Sequence, residues 1–339
     1  DGALTPQFSC SDLVNLKALD TIIESAVLVH PDYPQRIYVA LRTKGQSGAQ
    51  FYGINDTSFI DDFIDSNCEK LQASLAMETP IAFCIDNSSH VIRVWFFEES
   101  VSLTSRDIPL RTLVGDSFTP STVVTHPDYP NIVFIGGDQQ IALCNIAYLK
   151  NYNQVELLSI INTPPNSNFT ISGEKLIIFV AGSQVSTYSI INIRNPIIII
   201  SGQDPGFSYN IRTIASGNTD LYALSYQNGT TAIFDSYLPN VMEPYHVTFR
   251  ANILAMFTYG TSEIIFLQDE TGNQTAIQVF PFHVFTMTAS KISTDQDYGC
   301  GIFKLLDSLD QYETCFTFIN TSNMKITAKH LASAPIFDV

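Results

Sequence analysis

The sequence predicts an all-β protein built from repeated units of short strands, and three observations lead to this fold class. Aromatic residues make up 12% of the 339 residues, and they suit pleated, half-buried strands. Charged residues reach only 15% while hydrophobic residues reach 45%, a balance that supports a large buried core rather than disorder. A pattern of apolar strand, polar turn and apolar strand recurs along the chain, which is typical of repeat architectures.

The clearest repeat is the motif His-Pro-Asp-Tyr-Pro, which precedes an apolar strand in both of its copies. It occurs at 30–34 and at 126–130, so His30 and His126 are 96 residues apart. Proline pre-sets a turn and lacks the N–H that a strand would use. We therefore interpret the motif as a turn whose histidine packs or hydrogen-bonds locally, with a ligand role for the histidine as the alternative.

A weaker unit, two apolar strands around a polar turn, extends the repeat over the whole chain. The starts of its first strands are separated by 44, 51, 44, 45, 43 and 37 residues. Flanking strands can be placed around several pairs, and four short strands in about 44 residues predict one propeller blade. The seven first strands are Ile37–Leu41, Ile81–Ile85, Ile132–Gly136, Leu176–Val180, Leu221–Ser225, Ile264–Gln268 and Gly301–Leu305.

Over residues 25–331 the chain therefore resembles the seven-bladed β-propeller superfamily, at the level of architecture. The resemblance implies an all-β, single seven-bladed β-propeller with four antiparallel strands per blade. Residues 1–24 form an N-terminal extension that could close the ring, and 332–339 form a C-terminal tail. No specific propeller family is indicated, because the marks of WD repeats are absent and the double glycine of kelch repeats occurs once, at Gly136-Gly137.

Six N-glycosylation sequons predict that the protein is secreted. Asn-x-Ser/Thr acceptors mark surface loops of secreted proteins, and most of these six fall at predicted turns. An even number of cysteines agrees with an oxidising compartment, whereas six buried free thiols in a cytosolic protein are the alternative. The sequon asparagines are Asn55, Asn87, Asn168, Asn228, Asn273 and Asn320.

The pairing of the six cysteines stays open, and we expect at least two disulfides. Cys300 and Cys315 belong to one predicted hairpin and form the best single pair, provided that a tight turn brings them opposite each other. Cys10 could instead reach either of them and fasten the N-terminus. The remaining cysteines, whose partners the sequence does not indicate, are Cys68, Cys84 and Cys144.

Charge and hydropathy exclude two classes of partner. The net charge is −16 and the basic residues are scattered singly, so we expect neither nucleic acid nor an anionic membrane surface as a partner. No apolar run approaches the roughly 18 residues that span a bilayer, so no membrane insertion is expected. The densest apolar stretch, Pro196–Ser201, contains four isoleucines and predicts a buried strand.

Two acidic groups are candidates for calcium or for acid–base chemistry. Asp295 and Asp297 precede Gly299 in a predicted loop, and spaced carboxylates before a glycine can hold a hard cation. The alternative is an ordinary polar turn, and no further cofactor is expected. The second group is an acidic cluster, which we interpret as a solvated edge that discourages strand pairing; its members are Asp56, Asp61, Asp62 and Asp65.

No local catalytic motif is present, because neither Gly-x-Ser-x-Gly nor His-Glu-x-x-His occurs. Four sequons are expected on the face where propeller enzymes hold substrate, which argues against an enzyme. The sequence therefore predicts a secreted, acidic binding, adhesion or assembly module. Its partners would be other extracellular proteins or copies of itself, in a cell-surface or filamentous structure. The alternative is a lactonase-like propeller hydrolase with calcium in its central channel.

Overall fold

The structure, a computed structural model, describes most of the 339-residue chain. The chain divides into two compact units. The first unit comprises 1–84, 95–104 and 296–333, and the second comprises 85–94, 105–295 and 334–339. The described residues are 12–15, 22–30, 33–43, 48–55, 58–74, 81–97, 103–126, 129, 131–173, 176–203, 209–216, 220–235, 244–259, 262–270, 274–279, 288–293, 297–306, 312–320 and 325–329.

The described strands form seven four-stranded sheets, antiparallel wherever the pairing register is defined. In six of them, four strands that are consecutive in the chain lie side by side in order. The first three of these sheets contain β2 (Ile22–His30), β3 (Tyr33–Thr43), β4 (Ala49–Asn55) and β5 (Ser58–Asp65); β6 (Lys70–Ser74), β7 (Ile81–Asp86), β8 (Val91–Phe97) and β9 (Leu103–Pro109); and β10 (Pro120–Thr125), β11 (Ile132–Gly137), β12 (Gln140–Asn145) and β13 (Glu156–Asn162).

Three further sheets repeat this order in the second half of the chain. Two four-residue helices, α1 (Leu110–Leu113) and α2 (Leu149–Tyr152), lie in the connections around β10–β13. The three sheets contain β14 (Asn168–Ser172), β15 (Leu176–Ala181), β16 (Gln184–Ser189) and β17 (Ile197–Gln203); β18 (Ile211–Ser216), β19 (Leu221–Tyr226), β20 (Thr231–Asp235) and β21 (Pro244–Phe249); and β22 (Asn252–Tyr259), β23 (Ser262–Gln268), β24 (Gln274–Val279) and β25 (Thr288–Ser293).

The seventh sheet joins the two ends of the described chain. Its order is β1 (Asp12–Asn15), β28 (Lys325–Lys329), β27 (Tyr312–Asn320) and β26 (Asp297–Leu306). β1 pairs antiparallel with β28, with Asn15 opposite Lys325. The fourth strand of this sheet therefore comes from the N-terminal segment, while the other three come from the end of the chain.

The predicted equivalence of the first strands is confirmed in six sheets and wrong in the seventh. Ile132–Gly136, Leu176–Val180 and Leu221–Ser225 lie in β11, β15 and β19, the second strands of three different sheets. Gly301–Leu305, however, lies in β26, the strand at the edge opposite β1 and thus the first strand of its sheet. Its true equivalent is β27, which explains why the last spacing, 37 residues, is short.

Within each unit, neighbouring sheets pack through their first strands. In the first unit, β2 lies beside both β6 and β26; in the second, β14 lies beside β18 and β18 beside β22. Apolar side chains fill the space between adjacent sheets, because a sheet that packs between two others buries the side chains on both of its faces. The fully buried side chains of this core include Phe51, Phe83, Phe97, Phe134, Tyr226 and Phe234.

The isoleucine-rich stretch forms a strand as predicted, and its predicted burial is confirmed for Ile200 but wrong for Ile197 and Ile198. Ile197 and Ile198 begin β17 and are 60% and 45% exposed. β17 is the last strand of its sheet and no described strand pairs with its outer side. The local sequence resembles a core strand, but the position at the sheet edge leaves the side chains in contact with solvent.

Candidate functional site

The second His-Pro-Asp-Tyr-Pro motif packs its histidine in the protein interior, as the sequence predicted. His126 is fully buried at the end of β10, and its imidazole Nδ1 accepts a hydrogen bond from the Tyr129 N–H at 3.2 Å. Its ring lies 4.8 Å from that of Tyr129 and 6.2 Å from that of Phe134. The histidine therefore closes the connection between β10 and β11. His30 ends β2 at the corresponding connection to β3, where its backbone lies opposite that of Tyr33.

Asp65, a member of the predicted solvated cluster, is instead buried in the first unit. It is 4% exposed at the end of β5, and its Oδ2 accepts a hydrogen bond from the Trp95 indole Nε1–H at 2.9 Å. The neighbouring Oδ1 accepts from the Asn67 N–H at 3.2 Å. Asp56 lies outside the described residues. For Asp61 and Asp62 the structure describes only the backbone, in β5.

A disulfide lies next to the Asp65–Trp95 hydrogen bond. Cys68, in the turn after β5, is bonded to Cys84 of β7, with 4.9 Å between the Cα atoms. The Arg42 guanidinium donates a hydrogen bond to the Cys68 carbonyl at 3.2 Å. We call this group the Cys68 junction: Arg42, Asp65, Cys68, Cys84 and Trp95. It ties the turn between the first two sheets of the chain to the second strand of the following sheet.

Gly48 shows how tightly the Cys68 junction is packed. Its φ is +92°, and a Cβ at this position would lie 1.9 Å from the carbonyl oxygen of Asp65. Only glycine meets both the backbone conformation and this close approach. The start of β4 therefore lies directly against the turn that carries Cys68.

The register of the last sheet disfavours the predicted Cys300–Cys315 pair. Cys315 lies opposite Phe303, while Cys300 falls at the register shift between Gly299 and Gly301, opposite Phe318 and Thr317. The two cysteines are therefore about three residue steps apart along the strands, or roughly 10 Å, whereas bridged Cα atoms lie within about 7 Å. Cys10 lies outside the described residues. Cys144 in β12 is buried with a free thiol.

The calcium candidate stays a prediction, because Asp295 lies outside the described residues and the side chain of Asp297 is not described. The backbone places Asp297 at the start of β26, opposite Asn320. Among the side chains that the structure does describe, no three His, Cys, Asp or Glu residues come together in a group that could hold a metal ion. In the described part of the chain, no helix is long and apolar enough to cross a membrane.

Two sequon asparagines, Asn168 and Asn228, are exposed. Asn228 lies in the β19–β20 turn, and its Oδ1 accepts a hydrogen bond from the Thr230 N–H at 3.1 Å, so its amide nitrogen is the group left for a glycan. Asn168 is the first residue of β14. Asn87, in the β7–β8 turn, is only half-buried rather than exposed. Asn273 lies outside the described residues, and Asn55 and Asn320 end β4 and β27.

The turn that carries Asn87 is held by the preceding aspartate. Asp86 is buried, and its Oδ1 accepts hydrogen bonds from the Ser88 hydroxyl at 2.6 Å and the Ser89 N–H at 3.0 Å. Burial raises the pKa of Asp86, but these hydrogen bonds and the charge of Arg93 outweigh burial and leave the pKa below its ordinary value. Asp86 is therefore a charged anchor of the β7–β8 turn.

Two exposed tyrosines form a surface feature that the sequence analysis missed. Tyr148 precedes α2 and Tyr152 is its last residue, in the connection from β12 to β13. Their side chains are 61% and 68% exposed and meet edge to face at 6.0 Å. Leu149 between them is fully buried and fixes the helix on the sheet. The only available signal was their separation by four residues, which places two side chains on one helix face.

Comparison with known proteins supports the fold and goes no further. Neither a scan of protein-family models nor a search of curated proteins finds a match. Among solved structures, the chain is similar to Kluyvelomyces marxianus Hsv2, with a TM-score of 0.51, 9% identity, and 92% of this chain and 98% of that chain covered. At this identity the likeness concerns the fold alone: the four-stranded antiparallel sheets of this chain fit a β-propeller architecture.

Proposed function

We propose that this protein is a secreted, N-glycosylated, seven-bladed propeller that acts as a non-catalytic binding, adhesion or assembly module. The observation that carries the binding part is the exposed pair Tyr148 and Tyr152. Exposed tyrosines on a rigid element are enriched at protein interfaces, because they bring a large contact area at little entropic cost. Both side chains are mostly exposed and Leu149 is the buried residue of α2, so we expect folding to tolerate their removal.

The disulfide Cys68–Cys84 and the sequons support the extracellular part of the proposal. Disulfides persist mainly in oxidising compartments, and this one joins two buried side chains of the first unit. Asn168 and Asn228 present exposed acceptor side chains. A glycan on either would be accommodated without moving the core.

Seven four-stranded sheets among the described residues support seven blades. First strands lie side by side within each unit, β2 with β6 and β26 in the first and β14, β18 and β22 in the second. The pairing of β1 with β28 supports closure of the ring by the N-terminal segment. Such closure completes the last sheet with a fourth strand, and closed propellers in this way avoid leaving a long unpaired strand edge where the two chain ends meet. Class averages from electron microscopy test this count directly, and six or eight blades would contradict it.

Secretion and binding are tested on protein produced through a eukaryotic secretory pathway. We expect glycan mass on the peptides that carry Asn168 and Asn228, removed by peptide N-glycosidase. Asn162, followed by Thr163 and Pro164, should stay unmodified and serves as the internal control. Bare peptides at all described sequons would overturn the secreted part of the proposal.

The binding part is tested with Tyr148→Ala/Tyr152→Ala on immobilised extracellular matrix and cell surfaces. We expect reduced retention relative to wild type, and unchanged retention for Thr112→Ala, an exposed change on α1. Calcium titration and a lactone hydrolysis assay test the alternative, a propeller hydrolase. A stoichiometric calcium site together with lactone hydrolysis would overturn the non-catalytic proposal.

A further inference from the structure

Strand β17 exposes apolar side chains at a free sheet edge. Ile197 and Ile198 are 60% and 45% exposed, and Ile191, in the turn before the strand, is 77% exposed. Successive strand residues point to opposite faces, so the sheet presents isoleucine on both faces of this edge. We call these three residues the edge patch. Exposed apolar groups at a strand edge mark a surface that another strand can cover.

β17 differs from the last strand of every other sheet in the described chain. Each of the other six carries at least one charge or proline, the residues that discourage pairing between edges. β17 carries neither over its seven residues, Ile197–Gln203. Pro196 precedes the strand, Asp204 follows it, and its pairing with β16 is irregular between Ile200 and Gln203. The charged residues and prolines that the sequence places in the other last strands are Asp12 in β1, Asp61 and Asp62 in β5, Arg106 and Asp107 in β9, Glu156 in β13, Pro244 in β21 and Lys291 in β25.

The charge around the edge patch fits a second copy of the same surface. The chain as a whole carries −16, yet from Ile190 to Gln203 the only charged residue is Arg194. Arg194 already pairs with Glu156 of β13 at 2.7 Å, and both side chains are about half exposed or more. Over these residues a strongly basic partner would find no acidic side chain, and an acidic partner would find only an arginine that is already paired. An uncharged, isoleucine-rich strand fits instead, and β17 itself is such a strand.

We propose that two copies of this chain associate through β17, with the two strands antiparallel about a twofold axis. The pairing joins two four-stranded sheets into one eight-stranded sheet and covers the edge patch of both copies. An interface of this kind is isologous: the same surface serves both partners, so the neutral faces meet while the acidic surfaces stay apart. The inference deepens the assembly part of the proposed function, but it depends on neither secretion nor glycans.

The ionic-strength dependence distinguishes this association from a charge-driven one. Each copy carries −16, so the two repel each other at low salt, and added salt screens that repulsion. The association constant of the wild-type chain should therefore rise between about 10 mM and 500 mM NaCl, because the Debye length falls from about 30 Å to a few ångströms. Capture of a basic partner would show the opposite trend.

Sedimentation equilibrium of the purified full-length chain, over a range of concentrations, tests the proposal. We expect Ile198→Asp and Ile197→Asp to weaken self-association about tenfold or more, since each dimer then brings two like charges together at the interface. Both side chains are exposed in the monomer, so folding should be retained, as checked by circular dichroism. Ser117→Asp adds the same charge in an exposed turn and should associate like wild type.

Hydrogen exchange measured on the same samples identifies the paired strand. Amides of 197–203 should exchange more slowly as protein concentration rises, while those of the exposed turn at 116–117 should not change. A single species of monomer mass at every concentration and salt overturns the proposal, as does equal association of wild type and Ile198→Asp. Protein that carries no glycan at its sequons would count against the proposed secretion. It should associate through β17 with the same constant, so the two proposals can fail separately.

Discussion

Two cysteines occupy nearly identical strand sequences and have different chemistry. Cys84 follows Ile-Ala-Phe in β7, and Cys144 follows Ile-Ala-Leu in β12. Both side chains are about 1% exposed or less. Cys84 is bonded to Cys68, which lies 16 residues earlier in the chain, whereas Cys144 is a free thiol. The strand sequence specifies burial, and a residue outside the strand specifies the oxidation state.

The two cysteines also differ in the groups that surround them. The Cys68 junction combines the disulfide with a buried polar contact, Asp65 to Trp95, and with the Arg42 hydrogen bond. Cys144 is fully buried, and this burial raises the pKa of its thiol to about 12. One site therefore stabilises the fold through a covalent bond and polar contacts, and the other buries a thiol that must stay neutral.

The largest expected effect comes from removing the disulfide. Cys68→Ala/Cys84→Ala should lower the free energy of unfolding by about 3 kcal/mol, because the unfolded chain regains the freedom of a loop of this length. Urea denaturation followed by circular dichroism measures the loss. Cys144→Ala provides the matched control, since it removes a buried sulfur without opening a loop.

Reductant completes this test. Wild type should lose stability in dithiothreitol, while the double variant should lose less, since its junction has no bond left to reduce. Free thiols at Cys68 and Cys84 in peptide maps of the oxidised protein would contradict the junction as described.

The next largest effect concerns the pH dependence of the Cys144 site. Its thiol pKa is raised from an ordinary 9.0 to about 12 in the folded protein, so its contribution is fully present below pH 9 and is lost as pH rises toward 12. Above pH 9 the unfolded chain loses this proton while the folded chain keeps it, which costs up to about 1.4 kcal/mol per pH unit.

Chemical denaturation between pH 8.5 and about 10.5 checks this sign, with stability expected to fall by about 2 kcal/mol from this thiol. In Cys144→Ala the alkaline slope should be shallower by that amount, since alanine does not ionise. Equal slopes in the two proteins would mean that the thiolate forms in the folded state without penalty.

The strands could be predicted from the sequence because strand periodicity and turn residues are local properties. Six of the seven apolar first strands lie at equivalent positions in successive sheets. The seventh, Gly301–Leu305, was displaced by one strand because β1, far away in the chain, supplies the fourth strand of that sheet. Spacing alone does not reveal a strand borrowed from the other end of the chain.

The candidate sites were harder to predict because their chemistry depends on contacts between distant residues. The local role of His126 follows from the adjacent proline turn and was predicted correctly. The burial of Asp65 depends on Trp95, thirty residues later, and the exposure of Ile198 depends on which strand ends the sheet. Both are set by tertiary packing, which overrides the local pattern.

The smallest expected effect comes from Trp95→Phe, which removes the polar contact of the Cys68 junction and leaves its disulfide in place. Trp95→Phe keeps an aromatic ring near Phe51, whose centroid lies 5.3 Å from that of Trp95, but removes the Nε1–H that donates to Asp65. Loss of a hydrogen bond to a buried carboxylate should cost about 1 to 2 kcal/mol. Trp95 is the one tryptophan of the chain, so circular dichroism rather than fluorescence must follow unfolding.

The same substitution in the Cys68→Ala/Cys84→Ala background decides whether the two contacts act together. Asp65 and Cys68 flank one turn, in which the Cys68 N–H donates to the Asp65 carbonyl at 3.4 Å. Without the disulfide, the Asp65–Trp95 bond is left to fix that turn, so Trp95→Phe should cost more there than in wild type. Residues that share a network give such non-additive changes, whereas independent sites add within about 0.5 kcal/mol. Equal losses in both backgrounds would show that the disulfide and the indole hold separate parts of the junction.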